Sequence, residues 1–328
     1  MRRLLIMLSA GLVLSACGSA AEDSGSDSSG PWSFVDGSGE TVKLDEIPKR
    51  IIAHAGEAAA LMSFGIRPVG IYGDESVKTD PNLKDLDLDG IEILGEEWGV
   101  IDVEKAAELD PDLIVADWWP AEKAHGGFEE GVEEKSLKLA ELAPVVGATQ
   151  GESILSLAQG YEKLAESLGA DVDDPELAAD KNAFEEALSR FKEVVASKPE
   201  LTVLAVSPSD DLLYVANPEY APELLDFQEW GLKVINPDSP DKGFPYWENL
   251  SWENADKYQP DLLMIDSRQF DSTLAQAEKH PTWQTIRAAK ADAIIQWPAF
   301  WLHTYGDYAQ ALEILADDLE KADENIGD

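Results

Sequence analysis

The chain has 328 residues, with 65 Asp or Glu against 25 Lys or Arg, a formal net charge of −40. So acidic a surface repels phosphate, which excludes nucleic acid as a partner and argues against docking on an anionic membrane face. Its 44% hydrophobic residues and ten Trp can bury more than one core, so two lobes are expected, while a single cysteine, Cys17, leaves no internal disulfide and no cysteine-built zinc site.

Arg2 and Arg3 precede an apolar and small-residue run from Leu4 to Ala16 that is too short to span a bilayer, so residues 1–16 read as an export signal. Leu14-Ser15-Ala16-Cys17 is similar to a bacterial lipobox, whose Cys becomes the lipidated first residue of the mature chain. Residues 17–30 then form a tether, because a stretch as rich in Gly, Ser and Asp as GSAAEDSGSDSSG cannot pack; as a flexible coil it reaches about 20 Å. The expectation is a monomer held by lipid on Cys17 at the extracellular face of the cell membrane, or in a periplasm.

Residues 31–150 are expected to form an N-terminal α/β lobe. Strand patterns at Arg50 to Ala53 and Pro68 to Tyr72 flank a helical one at Glu57 to Phe64. Residues 98–117 then align without gaps on 247–266, at a constant offset of 149. Trp98 matches Trp247, Glu104 matches Glu253, Ala106 matches Ala255, Pro111-Asp112-Leu113 matches Pro260-Asp261-Leu262, and Asp117 matches Asp266. Each copy reads as an aromatic loop, a short helix stopped by Pro-Asp, and a buried strand ending in Asp.

Residues 151–197 carry no strand pattern. Asp174 caps a helix opening on Pro175, and Leu177, Phe184, Leu188, Phe191 and Val195 fall on one face, predicting a helix about 35 Å long to Ser197. Residues 198–328, with strand patterns at Leu201 to Val206, Lys233 to Asn236, Leu262 to Ile265 and Ala293 to Gln296 and a helix at Glu219 to Trp230, form a second α/β lobe. The fold class is therefore α/β, two similar lobes joined by one long helix.

Pro48-Lys49-Arg50-Ile51-Ile52-Ala53, the stretch Gly65-Ile66-Arg67-Pro68-Val69-Gly70-Ile71-Tyr72 and the paired helix-Pro-Asp-strand units make the chain resemble the substrate-binding lipoproteins of ABC importers. The class resembled carries ferric siderophores, cobalamin and haem, and the likeness is strongest to actinobacterial iron-siderophore binders. The resemblance implies a rigid inter-lobe helix, a ligand cleft between the lobes, small closure on binding, an ABC permease as partner and no enzymatic activity. It implies no resident cofactor, the iron arriving inside the ligand.

In open α/β lobes ligands sit beyond the carboxyl ends of the strands. The candidates there are His54, Tyr72, Trp98, Trp118, Trp119, Tyr214, Trp247, Arg268, Trp297, Trp301 and His303. Rings grip a bulky chelate with little entropy loss, and Arg268 offers a bidentate donor to chelate oxygens. Core packing of the rings and a salt bridge for Arg268 are the plainer alternatives. By resemblance, Glu104 and Glu253 dock into arginine pockets of the permease; either acid also stabilises a helix N-terminus by about 0.3–1 kcal/mol. A ferric siderophore, preferably a neutral or cationic hydroxamate, is the expected ligand. Cobalamin or haem, a bare metal ion, an extracellular hydrolase and a structural lipoprotein stay open as alternatives, though the chain has no G-x-S-x-G, P-loop or H-E-x-x-H motif.

Overall fold

The computed structural model describes residues 30–267, 270–299, 302–324 and 326. The export signal, Cys17 and the tether up to residue 29 therefore lie outside the described residues, as do Arg268 and Trp301. Among the described residues no helix is long and apolar enough to cross a membrane.

A hairpin opens the fold, β1 (Trp32–Val35) with β2 (Thr41–Leu44). There follow β3 (Ile51–His54), α1 (Ala55–Ser63), β4 (Gly70–Gly73), β5 (Glu92–Glu96), α2 (Val103–Glu108), β6 (Leu113–Val115), a short hairpin β7 (Trp118–Trp119) and β8 (Ala124–His125), α3 (Glu134–Leu137) and β9 (Val145–Val146). These build the first sheet, order β5-β4-β3-β6-β9, parallel throughout. Ile51, Ile52 and Ala53 are all buried, as continuous apolar runs must be where helices cover both faces.

Two helices follow, α4 (Ile154–Ser167) and α5 (Pro175–Ser197). The second starts as the sequence predicts, with the Asp174 side chain accepting from the Glu176 amide at 2.7 Å and Pro175 in the first turn. The remainder comprises β10 (Thr202–Pro208), β11 (Leu212–Ala216), α6 (Pro222–Glu229), β12 (Lys233–Val234), β13 (Trp247–Ser251), β14 (Leu262–Asp266), α7 (Phe270–Ala277), α8 (Arg287–Lys290), β15 (Ile294–Trp297) and α9 (Tyr305–Lys321). The second sheet runs β13-β11-β10-β14-β15, with β12 also beside β10. It is mixed: β10 pairs parallel with β12 and β14 but antiparallel with β11, which pairs antiparallel with β13.

The helix expected at Glu219 to Trp230 is shorter, because Pro222 opens α6 and removes the amide that would continue a helix through it. The long helix α5 lies along α9. Phe184 packs on Tyr305 and Tyr308, and Arg190 reaches Glu313 and Asp317 at 2.5 Å each. One contiguous hydrophobic cluster runs from Ile51 and Val115 of the first sheet through Leu157, Phe184 and Leu312 to Val203 and Met264 of the second. The two sheets are thus welded at their backs by α4, α5 and α9, and their strand ends face a common opening.

Candidate functional site: the cleft between the lobes

That opening is a cleft of about 790 Å³. Its first-lobe wall comes from the carboxyl ends of β3, β4 and β6 and the loops after them, its second-lobe wall from the segment entering β13 and the one between β15 and α9. Of the residues the sequence singled out, His54, Trp98, Trp119, Trp247 and His303 line it. Trp98 stands 50% exposed on a turn after β5, whereas Trp247 is 9% exposed and edge-on to Tyr214, ring centroids 6.1 Å apart.

Four other candidates lie elsewhere. Trp297 is 0% exposed on β15, in the core beneath the cleft, because its position in the strand points it at the packed face. Tyr72 is buried behind His54, its hydroxyl donating to the Gly126 carbonyl at 2.8 Å. Trp118 lies edge-on to His125 across the β7–β8 hairpin, 5.0 Å between centroids. Tyr214, on β11, stands behind Trp247 rather than in the wall. Glu104 and Glu253 are exposed, each in the first turn of a short helix, clear of the cleft.

A buried polar cluster forms the floor. His54 Nδ1 lies 2.9 Å from a Glu57 carboxylate oxygen and its Nε2 3.5 Å from Asp74. Glu57 also accepts from the Asp117 backbone amide at 2.6 Å. Asp117 accepts from Gln150 Nε2 at 2.5 Å and from the Tyr161 hydroxyl, and meets His303 Nε2 at 2.9 Å. Burial opposes the charge on His54, but Glu57 and Asp74 outweigh it and hold the imidazole protonated, its pKa well above 6.5. Burial pushes Glu57 up too; the His54 cation outweighs it and brings the carboxyl down to about 2. Burial and the adjacent Glu57 charge push Asp117 up, against the pull of His303.

The Asp117–His303 contact crosses from first lobe to second, and Gly56 makes it possible. A Cβ there would lie 2.5 Å from the His303 ring, so only glycine lets the imidazole rest on the start of α1. Glu57, Asp117 and His303 each offer a ligand atom, all within 4.8 Å of one another, a spacing that a metal ion could bridge. Their atoms are already engaged, however: Glu57 by His54 and an amide, Asp117 by Tyr161, Gln150 and His303. The cluster therefore acts as a pin between the lobes.

The sequence reading missed the acids of the walls. Asp74, Glu75 and Asp80 follow β4, and Glu122, Glu129 and Glu130 follow the Trp118-Trp119 pair. With Glu57 and Asp117 they make eight carboxylates in the lining, against no Lys or Arg among the described residues. Burial raises the pKa of Asp80, Glu122 and Glu129, as expected for carboxylates withdrawn from water. The available signal was position, since both acidic loops leave the carboxyl end of a parallel strand.

Residues 69–299 match the periplasmic binding protein family. The chain belongs to that family. Its members and structural neighbours bind substrates rather than transform them, and this periplasmic binding protein is likewise not an enzyme. DesE, a ferric-siderophore receptor protein from Streptomyces coelicolor, is 35% identical; the match covers 89% of this chain and 99% of that one, with a TM-score of 0.79. FhuD2 from Staphylococcus aureus, solved with bound ferrioxamine B, shares the fold at 21% identity and a TM-score of 0.57, covering 83% of this chain and 98% of that one. The Fe(3+)-citrate-binding protein YfmC of Bacillus subtilis is 23% identical over 296 residues, 87% of this chain and 85% of its own length.

Proposed function

We propose that the protein captures a ferric siderophore of the neutral or cationic hydroxamate type between its lobes and delivers it to an ABC permease for iron uptake. The observation that carries this reading is the cleft, roomy and ring-walled, lined by eight carboxylates. A ferric tris-catecholate or a carboxylate chelate carries net negative charge and meets repulsion from Asp74, Glu75, Glu122 and Glu129. A ferric trihydroxamate has no net charge at its iron centre and meets none. The 35% identity to a ferric-siderophore receptor supports the siderophore class, and the hydroxamate choice rests on the electrostatics of the cleft.

In the same proposal the lobes are residues 31–150 and 198–328, with the helical segment 151–197 between them, and Cys17 carries the lipid that holds the protein outside the membrane. Glu104 and Glu253, exposed on one helix of each lobe, supply the permease contacts. Arg268 and Trp301 remain ligand candidates by their sequence positions.

Intrinsic tryptophan fluorescence of a soluble form starting at Gly30 tests the ligand, because Trp98, Trp119 and Trp247 line the cleft. A ferric trihydroxamate should quench saturably at or below micromolar, about −8 kcal/mol or tighter, and its iron-free form should not. Preference for a ferric tris-catecholate or ferric citrate over the trihydroxamate would overturn the hydroxamate assignment. Silence toward all three would overturn the siderophore reading.

A further inference from the structure

A second cavity of about 330 Å³ opens beside the main cleft, and Trp119, Ala121, Gln150 and Tyr246 line both. Three rings wall it at steep angles: Trp119 and Tyr246 are 6.0 Å apart at 70°, Tyr220 and Tyr246 5.5 Å apart at 65°. Rings set edge to face turn their electron-rich faces in different directions, and three of them make a partial cage. Glu152 and Glu219 complete the wall, and both are exposed at its rim. No Lys, Arg or His lines it among the described residues.

An independent feature points the same way. Gln150 is 1% exposed, and its Nε2 is committed to Asp117, yet its Oε1 has no hydrogen-bond partner among the described residues. A buried carbonyl oxygen without a donor costs about 1–3 kcal/mol, so such atoms are rare in folded proteins unless something else supplies the donor. A primary ammonium supplies three N–H donors, a charge for Glu152 and Glu219, and a cation for the ring faces. An anion would be repelled by both acids, and an apolar tail would leave the oxygen of Gln150 unsatisfied.

We propose that this side pocket binds a pendant alkylammonium group of the ligand while the iron chelate occupies the main cleft. The inference rests on the ferric-trihydroxamate reading and deepens it, making the receptor selective for chelates that carry a free amine on a chain.

The test uses ferrioxamine B, a linear ferric trihydroxamate ending in a primary amine, beside its N-acetylated form, titrated against the soluble wild-type protein and against Tyr220→Leu and the double variant Glu152→Gln/Glu219→Gln. The wild type should bind the amine form about tenfold more tightly, a preference that shrinks at high salt. Both variants should bring the two affinities to within about twofold of each other. Equal affinity for the two chelates in the wild type, or an undiminished preference in both variants, would overturn the side-pocket assignment and leave the hydroxamate reading standing. Failure of both chelates to bind would overturn that reading and this inference with it.

Discussion

The two copies of the helix-Pro-Asp-strand unit start from the same residues and end in different places. At the strand start they agree. Asp112 accepts from the amides of Lys49 and Arg50 at 3.0 and 2.9 Å, and Asp261 from the amide and hydroxyl of Thr202 at 2.9 and 2.6 Å, so each Asp pins its strand to the parallel neighbour β3 or β10. At the strand end they part. Asp117 opens onto the cleft floor, where His303 from the other lobe meets it. Asp266 lies opposite Trp297 of β15, outside the cleft lining, and the Ser267 amide bonds the Trp297 carbonyl at 2.9 Å. A repeat can therefore keep the residues that found a strand while one copy opens its end onto the cleft and the other packs its end beside β15.

The largest effect should come from breaking the packed end. Trp297→Ala removes a fully buried indole and should cost about 3–5 kcal/mol in unfolding free energy, seen in urea titration. A loss under 1 kcal/mol would mean that the strand end is not core. The open end should respond through charge. In His54→Gln the buried Glu57 loses its counter-ion, costing about 3 kcal/mol at pH 7. Glu57 titrates near 2 in the folded protein against its ordinary 4.5, so its stabilisation is present above pH 4.5 and fades as the pH falls toward 2. His54, raised from 6.5, contributes fully below that pH and loses its contribution as the pH climbs through its folded pKa. The gap between wild type and His54→Gln should thus narrow between pH 4.5 and 2; a constant gap would show that packing, not the ion pair, was lost.

The shared strand starts differ in burial. Asp261 is buried and also holds Arg287 at 2.7 Å, while Asp112 is exposed. Asp261→Ala should cost about 2–3 kcal/mol and Asp112→Ala about 1, measured by thermal unfolding. Equal costs would mean that burial adds nothing to this cap.

Much of this was legible in the chain. Pro111-Asp112 and Pro260-Asp261 marked both strand starts, and Asp174-Pro175 marked the long helix, because capping and proline chemistry are local. The antiparallel β11 and β13 were not legible. Their residues mix Tyr, Trp, Asn and Glu, and although β11 turns straight back on β10, β13 meets β11 from 31 to 39 positions away. Nor was the fate of each ring: Trp98 and Trp297 both sit near strand ends, but Trp98 stands on the turn past β5, half exposed, while Trp297 is still within β15 and buried in the core. The pin of Asp117 and His303 spans 186 positions, which no spacing rule reaches.

The smallest effect on stability belongs to the pair the copies still share on their outer faces. Glu104 and Glu253 are exposed in the first turn of their helices, so Glu104→Ala/Glu253→Ala should lose only the interaction of each carboxylate with its helix dipole, about 0.3–1 kcal/mol apiece, and should leave chelate affinity unchanged because neither lines the cleft. Iron uptake by cells carrying the double variant should nevertheless stop. Normal uptake would remove the docking role. Each single variant then asks whether the lobes are equivalent at the permease: the helix at Glu104 is a regular α-helix, whereas the one at Glu253 is a 3₁₀ segment kinked at Asn254, so the two carboxylates are presented by different backbones. If docking needs only charge at two points, the single variants lose uptake equally. If it reads backbone shape as well, they differ.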